Sequence, residues 1–371
     1  MNRKPKLLDI AEALGVSTGT VHRALHNHPG VSPMTKSRVQ QMAKSLGYRP
    51  NLAARYLSSK RTLRVSVNTL QGTTSFWDEV RAGISEEARA LVMENVELEY
   101  RTYPRLGEGE EEAFEAALKS GVNGIITFPS RPQSLHSWMR RASRSSIPVV
   151  CVATDAPNTG RLAVVSIDTL ASGSLAADLM GNFLGGKGKV AVTLGSLAIT
   201  EHAEKQKAFA STLLTLHPKM LLQETIEDHN VESEAYEKSR DLFRKHPDLA
   251  GVYVTTEASL PVLNAARDAQ MLDQIVFITT DLFPALVPEI RSRAVAATIY
   301  QRPRTQGRMA FRVLHEFLVE GECPSFQVTL APHLVMRGNL DFFLQRQSLE
   351  SSLQRAVRLR GASGDLVEYF G

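Results

Sequence analysis

Apolar residues first recur at helical spacing at Leu7, Ile10, Ala11 and Leu14. Gly15, which tolerates positive φ, predicts the end of that helix. Ser17 is placed to cap a second helix with Val21, Ala24 and Leu25 inward. Ser17, Thr18, Gly19, His22 and Arg23 would then face outward at its start. Ser32-Pro33 and Thr35 open a third helix, with Val39, Met42, Ala43 and Leu46 on one side and Gly47 at its end. Two helices joined by a short Gly-containing turn make a helix-turn-helix. After the breaker Pro50, Asn51 caps a segment of about two turns, too short to hold as a helix on its own.

From Leu63 the period changes. "RVSVNTL" reads as a strand, "FWDEVRAGISEEARALVMEN" as an amphipathic helix, and "VELEYRTY" as a strand again. The alternation continues through "EEEAFEAALKSG", "GIITF", "SLHSWMRRASRS" and "IPVVCVA". A second series begins near Leu162 with "AVVSI" and runs to "IVFIT" and "VAATIY". A long helix, "PRTQGRMAFRVLHEFLVEG", and short strands around "FQVTLAPHLVMR" follow. Strand-then-helix alternation predicts two Rossmann-like lobes with parallel sheets. The expected organisation is an all-α helix-turn-helix domain at 1–49, a hinge helix or linker at 50–61, an α/β effector and dimerisation domain of two lobes at 62–343, and a tail at 344–371. The tail reads as helical and then loose, and no role is assigned to it.

Charge changes the picture. Residues 1–61 hold eleven Lys/Arg against two acids, Asp9 and Glu12, a net +9, whereas the chain as a whole carries +4. The remainder is therefore mildly acidic, at −5. A local positive field of this kind suits a phosphate backbone better than a merely solvated helical bundle. The two cysteines, Cys151 and Cys323, lie in or near apolar segments without metal-type spacing. They read as reduced core thiols, which fits a cytoplasmic protein. No secretory signal and no apolar run of membrane-spanning length is evident, so no membrane partner is expected. "GGKGK", from Gly185 to Lys189, is a turn before a strand and lacks the strand–loop–helix order of a phosphate cradle.

The residues "DIAEALGVSTGTVHRAL" and "GYRPNLAARYL", with their spacing, resemble the lactose-repressor (LacI/GalR-type) family of bacterial transcription regulators. The body resembles that family's effector domain, of the periplasmic sugar-binding (type I) kind, through "SFWDEVRAGISEEA", "IPVVCVATDAPNTGRLAVVSIDTLASG", "GVYVTTEASLPVLNAA" and "ITTD" followed by "TIYQRP". The resemblance implies a dimer, or a higher oligomer, reading a near-palindromic operator with helix-turn-helix units and a hinge-helix Leu in the minor groove. By position it places Ser17, Thr18 and Gly19 at the bases, with Thr20, His22 and Arg23 supporting contacts to bases or phosphate. Gly19 offers no side chain, so direct readout there is weak, and His22 replaces a frequent Ser. Leu57 falls on the wedge position, and Asn51, Ala54 and Arg55 line the same helix. The alternative for Leu57 is an ordinary packing residue.

A sugar site needs aromatic faces and paired hydrogen bonds to hydroxyls. Phe76 and Trp77 follow the first strand, at the sheet edge where α/β folds bind ligands. They read as a stacking pair or as core. Asp281 ends "IVFITTD" as a hydroxyl acceptor, Gln301 follows "TIY" at a crossover, and Asp155 follows "PVVCVAT". Lys205 stands where the resemblance places a ligand-holding Arg, which weakens any bidentate clamp. Thr256-Glu257 stands where relatives carry Asn-Asp. No catalytic constellation, metal cluster or cofactor motif stands at an identifiable strand end, which disfavours an enzyme. The basic N-terminal module disfavours a transport-type binding protein. The expectation is a DNA-binding repressor, not an enzyme, released by a sugar or polyol. A purine or another small molecule, acting as corepressor or activator, is the alternative.

Overall fold

The computed structural model describes residues 7–25, 30–46, 62–71, 75–90, 96–321, 323 and 325–345, without the side chains of His22, Lys44 and Glu320. Asn51, Ala54, Arg55 and Leu57, the side chain of His22, Gly47 and the tail beyond residue 345 lie outside the described residues. The chain divides into two compact units. The first comprises the residues up to Thr62 with His315–Pro324, and the second comprises Leu63–Leu314 and the chain from Ser325 onward.

In the first unit, α1 (Leu7–Leu14), α2 (Thr18–Leu25) and α3 (Pro33–Ser45) form a three-helix cluster. Its core is Ile10, Ala11, Val21, Ala24, Val39 and Ala43, joined by the partly buried Leu7, Leu14, Leu25 and Met42. Leu46, expected on the inner side, is instead exposed, because α3 ends one residue before it. Gly15 takes φ +64° and turns the chain out of α1. Ser17 Oγ accepts from Thr20 N at 3.1 Å, the side-chain cap anticipated for α2.

The second unit holds two six-stranded sheets. The first lobe contains β1 (Leu63–Leu70), α4 (Ser75–Ala90), β2 (Val96–Tyr103), α5 (Glu110–Lys119), β3 (Gly124–Thr127), α6 (Pro132–Arg144), β4 (Val149–Val152) and β5 (Ala163–Ile167). The second contains α7 (Thr169–Leu184), β6 (Lys187–Leu194), α8 (Thr200–Leu216), β7 (Lys219–Glu227), α9 (Glu232–Lys245), β8 (Leu249–Val254), α10 (Ser259–Asp268), β9 (Val276–Thr280), α11 (Val287–Ser292) and β10 (Ala297–Tyr300). The chain then returns to the first lobe in α12 (Pro303–Glu320), of which the residues up to Leu314 belong to this unit, and in β11 (Gln327–Leu330), and its last strand, β12 (His333–Val335), joins the second lobe. The sheet orders are β11-β5-β4-β3-β1-β2 and β12-β10-β9-β8-β6-β7. Among the strands of the described residues, only β12 runs antiparallel, against β10. Strands β1, β3 and β4 are buried on both faces, as a parallel sheet covered by helices requires.

Two sequence expectations change. "AVVSI" is not the first strand of the second lobe. As β5 it pairs with β4 and with β11, so the lobe boundary falls after Ile167, where Asp168 caps α7 by accepting from Ala171 N at 2.8 Å. The short helix α11 has no counterpart in the sequence reading, since six residues beginning Val-Pro give no helical period. Helices α4 and α12 touch through glycines. A Cβ on Gly83 would lie 2.0 Å from the Arg304 carbonyl oxygen, and one on Gly307 would lie 2.1 Å from that of Val80. Arg304 also makes a bidentate pair with Glu79, at 2.7 and 3.1 Å.

Candidate ligand site and DNA interface

Both sheets share the doubly wound order in which the strand direction of winding reverses beside the first strand, β1 next to β3 and β6 next to β8. Ligands bind such sheets at the carboxyl ends of strands flanking that reversal. The chain places a cleft of about 380 Å³ there, lined from both lobes. The first lobe contributes Ser75, Phe76 and Trp77 from the start of α4, and Phe128 from the end of β3. Trp77 lies edge-on to Phe76 at 4.9 Å and 79°, and tilted over Phe128 at 4.5 Å. The second lobe contributes Glu201 and His202 from α8, Asn230 and Glu232, Thr255–Ala258 after β8, Asp281 after β9, and Gln301 after β10.

A buried chain of polar groups runs behind that wall. Asp281, at φ +70°, accepts from Gln301 N at 3.1 Å and from Gln301 Nε2 at 2.7 Å. Gln301 Oε1 accepts from Lys205 Nζ at 2.8 Å, and Lys205 also pairs with Glu201 and donates to the Thr255 carbonyl at 3.4 Å. Burial pushes Asp281 up to about 6, against the bonds from Gln301 and the Lys205 charge. Burial pulls against the Lys205 charge, but Glu201 beside it, with Tyr253 and Asp281, keeps its pKa above the ordinary value. His202 is held neutral, its pKa lowered chiefly by burial, and its Nδ1 accepts from Ser196 N at 3.1 Å. Across the cleft, Glu257 Oε1 accepts from Phe76 N at 2.7 Å and from Ser75 Oγ at 3.1 Å.

The structure thus brings Phe76, Trp77, Thr256, Asp281 and Gln301 to one cleft. It does not bring two others. Asp155 has both carboxylate oxygens engaged by Arg161 and lines a separate polar crevice with Asp168, Thr200 and Glu204. Lys205 is wholly buried and does not line the cleft, because Glu201, one turn earlier, and Gln301 enclose its ammonium. Glu257, weighed with Thr256 in the sequence, also lines the cleft, whereas sequence reasoning missed Phe128, Glu201, His202, Asn230 and Thr255. Their common signal is position: each follows the carboxyl end of a strand. Cys151 is buried in β4 and pushed up to about 12 by burial, whereas Cys323 is only half-buried, so just one is a core thiol.

Two further buried carboxylates support loops near the cleft. Glu110 accepts from Ser130 N and Ser130 Oγ, both at 2.7 Å, and burial pushes it up to about 7. Burial pushes Asp228, before Asn230, up to about 7 as well. A carboxyl whose folded pKa is raised binds its proton more tightly when folded, so stability falls as pH rises through the ordinary carboxylate range to about 7. Going from pH 8 to pH 6, these two groups should stabilise the second unit by on the order of 2 kcal/mol, until the neutral His202 opposes further acidification. Thermal melts across that range should rise by several degrees; a flat or falling profile would contradict it.

In the first unit, Ser17, Thr18, Gly19 and Arg23 are exposed along the start of α2. Thr20 is half-buried, with its hydroxyl 2.9 Å from Ser17 Oγ, so both hydroxyls take part in the cap. Residues 6–51 match the family described as "Bacterial regulatory proteins, lacI family", and residues 65–322 match the periplasmic binding protein domain. The chain belongs to the lacI family of bacterial regulatory proteins. This lacI-family protein is a DNA-binding transcriptional regulator. Among its relatives are the catabolite control protein A of Staphylococcus epidermidis, 27% identical over 347 residues, covering 90% of this chain and 98% of that one. The catabolite control protein A of Priestia megaterium is 26% identical, covering 89% and 97%. The second unit has the fold of solved binding proteins. A glucose–galactose binding protein of Geobacillus stearothermophilus matches with TM-score 0.71 at 23% identity, over 76% of this chain and 99% of that one. A solute-binding protein of Agrobacterium vitis bound to α-D-tagatopyranose matches with TM-score 0.70 at 19%, over 75% and 96%. No helix among the described residues of the lacI-family chain is long and apolar enough to cross a membrane, and no group of three His, Cys, Asp or Glu there is placed to hold a metal.

Proposed function

We propose that this regulator is a repressor that binds a near-palindromic operator as a homodimer in the cytoplasm and releases it when a sugar or polyol enters the cleft. The observation that carries the reading is a monosaccharide-sized cleft with aromatic rings on one lobe and a hydrogen-bonding wall on the other. Rings cover the C–H faces of a sugar while Asp281, Gln301 and Thr256 meet its hydroxyls. The carbohydrate ligands named for the solved relatives support the same class. A flat base is disfavoured, because Phe76 and Trp77 stand edge to face and offer no parallel slot between them. In this reading the cleft binds and does not catalyse. Operator contacts fall to Ser17, Thr18, Gly19, Thr20, His22 and Arg23, with Asn51, Ala54, Arg55 and the wedge Leu57 in the hinge.

Ligand drawn between Phe76 and Asp281 closes the lobes, and closure at a dimer interface changes the separation of the two hinge segments. A coupling of about 1–3 kcal/mol corresponds to roughly 5- to 150-fold weaker operator binding with ligand present. Asp281→Asn should keep the free protein's operator affinity and lose the ligand response. Operator titrations with and without a sugar that raises the melting temperature test this. Tighter DNA binding with ligand would make the protein a corepressed regulator, and a normal response in Asp281→Asn would place the site elsewhere.

A further inference from the structure

The sign of charge in the cleft restricts the ligand further than its shape does. Four carboxylates line it: Glu201, Glu232, Glu257 and Asp281. Among the described residues no Arg or Lys lines it, and the imidazole of His202 there is kept from protonating, chiefly by burial. The ammonium of Lys205, behind the wall, is fully buried and enclosed by Glu201, Gln301 and the Thr255 carbonyl, so it offers no donor to a ligand. The N-terminus of α4 is one feature able to attract an anion, because unsatisfied N–H groups and the helix dipole favour negative charge there. That place is already taken, since Glu257 reaches from the opposite lobe to Phe76 N and Ser75 Oγ. The rings of Trp77 and Phe128 add faces that attract cations. Thr255, a buried residue of the same wall, has a hydroxyl without a partner in the protein, an independent sign that a polar ligand belongs there.

We propose that the cleft selects a polyhydroxylated cation, an amino sugar or amino polyol, and rejects sugar phosphates and sugar acids. The inference rests on the sugar-cleft reading and adds its charge. An ammonium lies between carboxylates contributed after β8 and β9, while the aromatic wall takes the ring. A phosphate or carboxylate ligand would meet the Glu232, Glu257 and Asp281 carboxylates with no cationic side chain on the lining to answer it.

Calorimetric titration of the full chain at low salt tests the proposal with matched series. Glucose, galactose and mannose are each compared with the 2-amino, 6-phosphate and uronic acid forms. At least one 2-amino sugar should bind about tenfold or more tightly than its neutral parent, and no phosphate or uronate should bind. The amine-to-neutral ratio should collapse toward one in Glu257→Gln, and Asp281→Asn, which loses the ligand response, should lose the preference for the amine with it. A neutral parent binding as tightly as its amine, an anion that binds, or a ratio unchanged in both variants overturns the charge inference and leaves the sugar cleft standing. Silence from every member of every series overturns both.

Discussion

Raising salt from 50 to 200 mM should weaken operator binding by about a thousandfold or more. Affinity for a phosphate backbone comes largely from counterions released as Lys and Arg neutralise phosphates, so the logarithm of the binding constant falls linearly with that of salt, by about 0.9 per phosphate. Residues 1–61 carry eleven Lys/Arg and only two acids, enough to neutralise six or more phosphates from one protomer. Arg23 and Arg38 are exposed on the helices of the first unit. The exposed front of α2, by contrast, offers short side chains: Ser17 and Thr20 share the cap, and Gly19 has none. Base readout is therefore modest, and backbone charge carries most of the affinity. Gel shifts of genomic fragments, including the one upstream of the protein's own gene, measure both quantities. A slope corresponding to one or two phosphates, or no fragment retarded in preference to others, would refute the charge-driven operator complex.

Replacing Gly83 by Ala should destabilise the second unit by at least about 3 kcal/mol, at the upper end of overpacking effects, because the clash is with backbone. The added Cβ would sit 2.0 Å from the Arg304 carbonyl oxygen and 3.0 Å from Arg308 N. Neither atom can swing away as a side-chain end could. The two helices are also fixed by Glu79 against Arg304 and by the buried Glu87 against Arg308 and Arg312, at 3.2 and 2.7 Å. Any shift of α12 reaches the cleft, since Gln306 Nε2 donates to the Gln301 carbonyl at 2.8 Å. Gly19→Ala is the control. Its Cβ would meet only Ser17 Oγ, at 3.8 Å, so it should leave the fold intact and favour α2 slightly. Thermal melts of the two variants should separate widely; equal melts would show that α4 and α12 can slide apart.

The fold was largely legible because its outer helices and edge strands bury one face each, while the central strands read as short continuous apolar runs. The spacing in "SFWDEVRAGISEEA" and the alternation of "VELEYRTY" report burial locally, and the structure forms α4 and β2 there. Sheet membership is not local. Nothing in "AVVSI" distinguishes a strand that opens the second lobe from one that closes the first, because its partners β4 and β11 are chosen by the path of the chain. The same holds in the cleft. Phe76, Trp77, Asp281 and Gln301 were found because strand ends mark ligand edges in this class of sheet. Lys205 was placed at the cleft because the resemblance puts a ligand-holding Arg at that position. Its burial depends on Gln301, 96 positions later, and Glu257 meets Phe76 across 181 positions.

The return of α12 and β11 to the first lobe sets an order of events at the ribosome. The first sheet begins at Leu63 but receives its last strand only when Leu330 has been made. At about 5–20 residues per second, that interval lasts on the order of tens of seconds. The buried core residues of the α1, α2 and α3 cluster have all been made once Ala43 is added. A nascent chain therefore completes the core of its DNA-reading helices long before either lobe has all of its strands. The two lobes are the last parts of a new molecule to be finished.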